Sequence, residues 1–205
     1  MGLRKGDSNG NILPSLNVWS PIIVVTILIT GIGLLGDSGR EVLAYERQAI
    51  AAGQFWRLVS AHFVHTGIPH MLLNLAGLWV VWYLVGRAIS AYGWLLVWLV
   101  SIAGIDIGLW LLEPNLHWYV GLSGVLHGLI AAGLVASLKT LDLELWIVLL
   151  GLVGKLAYEQ LFGSLPGSEE TTGIAVIVNA HLYGAIAGAL CGAMLANRVR
   201  GAASI

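Results

Sequence analysis

A serine between two glycines, in Gly121-Leu122-Ser123-Gly124, opens one apolar run, and His127 follows it by one helical turn. His181 stands in a second apolar run, and a third carries His70 and Asn74 four residues apart. A serine hydroxyl is a weak nucleophile until a base accepts its proton, and imidazole does this near neutral pH. Ser123 and His181 together could attack a carbonyl and hand the proton to a leaving amine. Acyl transfer also builds charge on the carbonyl oxygen, and donors aimed there lower the barrier substantially. His70 and Asn74 project from one helix face and could supply two such donors. The Ser123 N–H is a third if that residue begins a helix. Gly121 and Gly124 would let loop and substrate backbone approach closely.

Each residue also has an ordinary use. "GVLHG" is a small-xxx-small pattern for close helix approach, and a lone histidine or asparagine in a membrane helix often bonds a neighbouring helix. His127 shares a face with Ser123 and could stack on or hydrogen-bond to His181. No carboxylate is an evident third partner for the pair: Asp106 is expected deeper, in a structural hydrogen bond, and Glu113 in a loop. "HFVHTGIPH" gathers His62, His65 and His70, but no carboxylate or cysteine completes a ligand spacing, so neither metal nor cofactor is expected.

These residues need elements to position them, and composition restricts the choice. The 205 residues are 58% hydrophobic and only 10% charged, with a mean hydropathy of +0.84. Soluble domains carry about 25% charged residues, so the expectation is an all-α polytopic membrane protein. Nine Trp suit the lipid–water interface. A net charge of −1 gives no sign of nucleic-acid binding. Cys191 is the single cysteine, which excludes an intramolecular disulfide.

Hydropathy predicts six helices near residues 18–35, 68–86, 93–112, 123–138, 143–162 and 176–196, forming one domain over 1–205. The polar start lacks a small-residue cleavage site, so the first apolar run is read as a span rather than a signal peptide. With the N-terminus cytoplasmic, Arg4, Lys5, Arg87, Lys139, Arg198 and Arg200 fall inside; Arg40, Arg47 and Arg57 fall outside, in the long loop 36–67. That loop mixes aromatic, aliphatic and charged residues, as an interfacial segment does. Lys155 lies within the fifth span, with Glu159 one turn later as a partner. Spans two, four and six then run inward, placing His70, Asn74 and His181 about 5–10 Å below the outer surface. Counting back from Lys139, Ser123 lies about 24 Å up a core of about 30 Å. Four polar residues from three spans thus share one depth, and ionisable groups there favour function.

These pieces resemble the rhomboid family of intramembrane serine proteases. "FWRLVSAHFVHTGIPHMLLN" is similar to the family's first-loop Trp-Arg and the His-xxx-Asn of its second span. Gly121-Leu122-Ser123-Gly124 resembles its nucleophile motif, and "AHLYGAIAG", with Gly184 and Gly188, its catalytic-histidine helix. The resemblance implies a six-helix rhomboid-like bundle, Ser123 as nucleophile, His181 as general base, and His70 and Asn74 as oxyanion-hole contributors. It implies structural roles for Trp56 and Arg57, and a substrate gate at 163–175. A tyrosine usual four residues after the serine is replaced here by His127.

"GLSGVLHG" further resembles the rhombosortase subgroup. That implies membrane-anchored protein substrates with a C-terminal Gly-Gly motif, a hydrophobic transmembrane helix and a basic tail, cut near the glycines. The expected setting is the bacterial inner membrane, with both termini cytoplasmic and the site opening to the periplasmic side. General rhomboid proteolysis of other single-span substrates is one alternative. An inactive helix-binding relative is another, though such proteins usually lack the serine or the histidine. A transporter fits poorly, because "VVWYLV", "IAAGLVA" and "IAGALCGAML" continue no polar route.

Overall fold

The computed structural model describes residues 16–202, with side chains from Pro21 to Ala196. Arg4, Lys5, Arg198 and Arg200, which carry much of the predicted charge asymmetry, lie outside the described side chains. Helix α1 (Leu16–Gly33) leads into a first loop made of α2 (Gly36–Leu43), strand β1 (Tyr45–Glu46), α3 (Arg47–Ala51), α4 (Arg57–Ser60) and a 3-10 turn at Ala61–Phe63. Then follow α5 (Ile68–Val85), α6 (Ala91–Leu112), strand β2 (Trp118–Tyr119), α7 (Ser123–Ala136), α8 (Leu143–Phe162), α9 (Ser168–Thr172) and α10 (Val178–Ala202).

The protein is an all-α polytopic membrane protein. Helices α5, α6, α8 and α10 are each long and apolar enough to cross a bilayer. Leu72, Ile107, Leu150 and Leu161 are exposed on their outer faces, where hydrocarbon would cover them. Helices α1 and α2 meet at a 108° bend. Gly36 makes that bend with φ +58°, a backbone region that side-chain-bearing residues avoid.

The fourth predicted span is the exception. Helix α7 has 14 residues, about 21 Å at the usual rise and short of a ~30 Å hydrocarbon core. It need not span, because protein rather than lipid surrounds it. Gly124, Val125, Leu126, Gly128 and every residue from Leu129 to Leu134 are buried, against α5, α6 and α10. A short helix wrapped by longer ones leaves its first residue, Ser123, recessed below their ends.

Helices α7 and α10 touch backbone to backbone. A methyl placed on Gly184 would collide with the Gly124 carbonyl oxygen, and one on Gly188 with that of Gly128. Gly192 meets Ala132 in the same way. Glycines four apart therefore form a flat track on α10, as the small-xxx-small pattern predicts. Gly124 belongs to this contact. A Cβ there would lie 2.9 Å from the Ala180 carbonyl oxygen, so the room expected for substrate is filled by α10.

The first loop folds over the helix ends nearest Ser123. Strand β1 pairs antiparallel with β2, Tyr45 opposite Tyr119 and Glu46 opposite Trp118. Two residues are too few for an alternating pattern, and this ladder is not predictable from hydropathy. Arg57 is buried and donates to the Ala44 carbonyl at 2.7 Å and to Gln54 Oε1 at 2.7 Å. Trp56 Nε1 donates to the Val42 carbonyl. Arg47 gathers the carbonyls of Leu109, Trp110, Glu113 and Leu116. Its guanidinium thereby satisfies the acceptors that the C-terminus of α6 leaves unpaired.

Glycine substitutions should separate the two kinds of helix surface. Gly188→Val places bulk against immovable backbone and should cost about 1–3 kcal/mol or more, as overpacking does. Gly151, in α8, has nothing within 4 Å of an added Cβ, and Gly151→Ala should hold or raise stability by up to about 1 kcal/mol. Thermal unfolding of the two purified variants in one detergent measures the contrast.

Candidate active site

Four helix ends meet at one level. Ser123 is the first residue of α7, His70 and Asn74 lie in the first two turns of α5, and His181 lies in the first turn of α10. Helix α8 runs the other way and brings Glu159 within its last turn. These residues line a cavity of about 440 Å³, floored by α7 and walled by α5, α8 and residues 174–177.

At its base the Ser123 hydroxyl lies 2.9 Å from His181 Nε2. His181 Nδ1 lies 3.1 and 3.0 Å from the two oxygens of Glu159. A carboxylate only accepts, so Nδ1 carries the hydrogen and Nε2 turns its lone pair to the serine. Lys155 Nζ donates to Glu159 Oε1 at 2.6 Å and stands 3.4 Å from His181 Nδ1. The Lys155–Glu159 partnership predicted within the fifth span is present. The expectation that no carboxylate reaches His181 is overturned, because Glu159 fills that position. The depth count that joined Ser123 to His181 also puts Glu159 at their level, three residues before the end of α8 and four after Lys155, but it does not say which way the carboxylate faces.

The imidazole of His127 stacks on that of His181, with ring centres 4.3 Å apart and 18° between planes. Its Nδ1 donates to the Ser123 carbonyl at 2.7 Å. Among the described residues, donor atoms of His127, Glu159 and His181 come within 4.8 Å of one another. They make a poor metal site. Parallel rings point their lone pairs side by side rather than at one ion, and both nitrogens of His181 are already bonded. The other histidines do not converge either. His62 bonds Asp106 at 3.3 Å, the structural role expected for that aspartate, and packs edge-on against Tyr119. His65 packs edge-on against His70. Burial, with the neighbouring His70 ring, lowers the His65 imidazole to about 3, so it stays neutral at physiological pH.

The expected oxyanion donors are only partly free. Asn74 Nδ2 gives one hydrogen to the His70 carbonyl, and its second remains. The Thr66 hydroxyl donates to the Thr172 carbonyl and therefore only accepts from His70 Nδ1, 3.0 Å away. Nδ1 then holds the hydrogen of a neutral His70, and Nε2 presents a lone pair rather than a donor. The same Thr66–Thr172 bond ties α9 to the start of α5, closing the segment 163–175 over the cavity.

The loop before Ser123 is held on both sides. The Gly121 N–H donates to the Ala61 carbonyl at 3.0 Å, and its own carbonyl accepts from the Tyr119 hydroxyl at 2.9 Å. Gly121 has φ +126°, and a Cβ there would meet the His70 ring at 3.1 Å; only glycine fits. Glu113, expected in a loop, caps the end of α6. It accepts from Asn179 and from the Tyr183 hydroxyl, steadying the turn of α10 that carries His181.

Comparison with known proteins places this arrangement. The Rhomboid domain description matches residues 52–198, most of the chain. The protein belongs to the rhomboid family. It is 31% identical over 108 residues to Rhomboid protease GluP of Bacillus subtilis (strain 168), covering 51% of this chain and 21% of that protein. It is 29% identical over 90 residues to the protein named "Putative rhomboid protease YdcA" of the same organism, covering 44% of this chain and 45% of that one. The chain thus spans about a fifth and under half of the lengths of these relatives.

The His127 stack makes a prediction about ring packing. A ring pair of this kind is worth about 0.5–1.5 kcal/mol beyond area. His127→Ala should slow labelling of Ser123 by a fluorophosphonate roughly 2- to 10-fold, and His127→Phe, which keeps a ring face, should recover most of the loss. Labelling rates of the two variants, read by in-gel fluorescence, test this.

Proposed function

We propose that this chain is an intramembrane serine protease. The single observation that carries the reading is the 2.9 Å contact of Ser123 Oγ with His181 Nε2, at the base of a cavity among membrane helices. Ser123 is the nucleophile and His181 the general base. Oγ attacks the scissile carbonyl as its proton passes to Nε2, and the same proton then reaches the leaving amine. The second Asn74 hydrogen and the first-turn N–H groups of α7 receive the developing oxyanion. His70 joins them from Nε2 once Thr66 is released from Thr172 and its proton is free for Nδ1. Segment 163–175 is the gate, and substrate arrival opens it.

The substrate is a membrane-anchored protein whose chain near a C-terminal transmembrane helix unwinds into the cavity. Glycines make that unwinding easy. This supports the rhombosortase-type signal of Gly-Gly, apolar helix and basic tail over a generic single-span substrate. The site opens on the outer side of a bacterial inner membrane, with both termini cytoplasmic. Arg87 and Lys139, in the connections that leave α5 and α7 at the far end from Ser123, support that orientation. The whole chain acts as one domain, without cofactor or metal.

Ser123→Ala and His181→Ala should each abolish cleavage of a reporter ending in Gly-Gly, an apolar helix and a basic tail, while the protein still elutes as a folded species. Asn74→Ala should lower kcat by roughly 10²–10³-fold with little change in KM, as loss of a transition-state donor does. Cleavage by pure Ser123→Ala protein at the native rate would remove the nucleophile assignment. A reporter with the glycines replaced by leucine should be cut more slowly; equal rates would favour general rhomboid substrates.

A further inference from the structure

We propose that Glu159, held in place by Lys155, orients His181 and balances the charge it acquires, so that Lys155, Glu159, His181 and Ser123 act in line. This rests on the proteolytic reading of Ser123 and His181 and deepens it.

Two ionisable groups in one membrane helix demand an explanation. Among the four helices able to span alone, α8 is the least embedded, with only 6% of its apolar window buried. Glu159 is nevertheless 3% exposed, turned off the lipid face and onto α10. Apolar side chains would serve packing there without the cost of desolvating charge. Both carboxylate oxygens instead lie within hydrogen-bond distance of His181 Nδ1. That contact holds the one tautomer whose Nε2 lone pair faces Ser123.

The contact matters most when the ring is charged. As the bond from Oγ to the carbonyl carbon forms, the serine proton moves to Nε2, the ring becomes cationic, and the carbonyl oxygen takes the electron pair. When the carbon–nitrogen bond breaks, that proton goes to the leaving amine and the ring returns to neutral. Water then adds to the acyl-enzyme, giving a proton to Nε2. Nε2 returns a proton to Oγ as the ester bond breaks. Glu159 stays ionised throughout. Its attraction is larger for the cationic ring than for the neutral one, which is the differential stabilisation that lowers a barrier. Glu159 touches no substrate atom; it is a positioning residue.

Lys155 acts in the opposite direction on the ring. Its ammonium has only donors, so its 3.4 Å approach to Nδ1 is tolerable only because both share Glu159. It holds the carboxylate charged and in place, while its own charge opposes a cationic imidazole. Removing Glu159 alone would leave that opposition unbalanced.

The test is the rate at which a fluorophosphonate–rhodamine probe labels the full chain in detergent micelles. Glu159→Gln should label roughly 10²-fold or more slowly than the native chain, as loss of a triad carboxylate does. Glu159→Asp should recover part of that loss. Glu159→Gln combined with Lys155→Met should label about tenfold faster than Glu159→Gln alone, because the opposing charge is gone. A residue that merely supports the fold would give a double variant no better than the single. Native-rate labelling of Glu159→Gln, or a double variant no faster than the single, overturns the inference. Should Glu159→Gln aggregate on gel filtration, the double variant decides alone. Labelling at least tenfold slower than native supports the inference, and the native rate overturns it. Ser123→Ala is the separate control: if it still labels, the proteolytic reading itself fails, whatever Glu159 does.

Discussion

The approach of α7 to α10 with no side chains between them governs the rest of the structure. A helix pair separated by ordinary side chains sits 8–10 Å apart. Glycines at 124, 128, 184, 188 and 192 remove that spacer and let carbonyl oxygens rest on Cα atoms. A serine side chain is short, and only such closeness lets Ser123 on one helix meet the ring of His181 on the other. The burial of α7 follows from the same packing, and so does its length. Enclosed on its flanks, α7 is free of the bilayer's demand for about twenty residues, and its shortness leaves the hydroxyl below the ends of its neighbours.

Polar groups at this depth are made tolerable by one another. Asp106 has His62; Glu113 has Asn179 and Tyr183; Glu159 has His181 and Lys155. Each set joins different elements or successive turns, so the bonds that neutralise buried charge also pin helix ends together. Arg47 does the same for backbone, satisfying four carbonyls around the end of α6. The first loop is thereby bolted to the strand that precedes Ser123. Its Tyr45 pairs with Tyr119, and its Ala61 carbonyl holds Gly121.

The helices were legible in the sequence because bilayer thickness imposes a length on apolar runs, and the boundaries of α5, α6 and α8 agree with hydropathy to within a few residues. That Ser123, His70, Asn74 and His181 share one level was legible for the same reason: 1.5 Å per residue converts position into height. What hydropathy cannot encode is rotation about the helix axis. Glu159 was visible as Lys155's partner, yet nothing in α8's own pattern says that its carboxylate faces α10 rather than lipid. The state of His70 was hidden too, since it depends on a hydroxyl at Thr66 whose proton is claimed by a carbonyl 106 residues away. The two-residue ladder of β1 and β2 was hidden because it is shorter than any period.

Chain order adds one further consequence. Ser123, Glu159 and His181 stand in that order along the chain, on α7, α8 and α10. During synthesis the hydroxyl therefore enters the bilayer well before the ring able to deprotonate it. A nascent chain caught between those events holds an alcohol with no imidazole against it, and the contact is assembled only when α10 packs on α7.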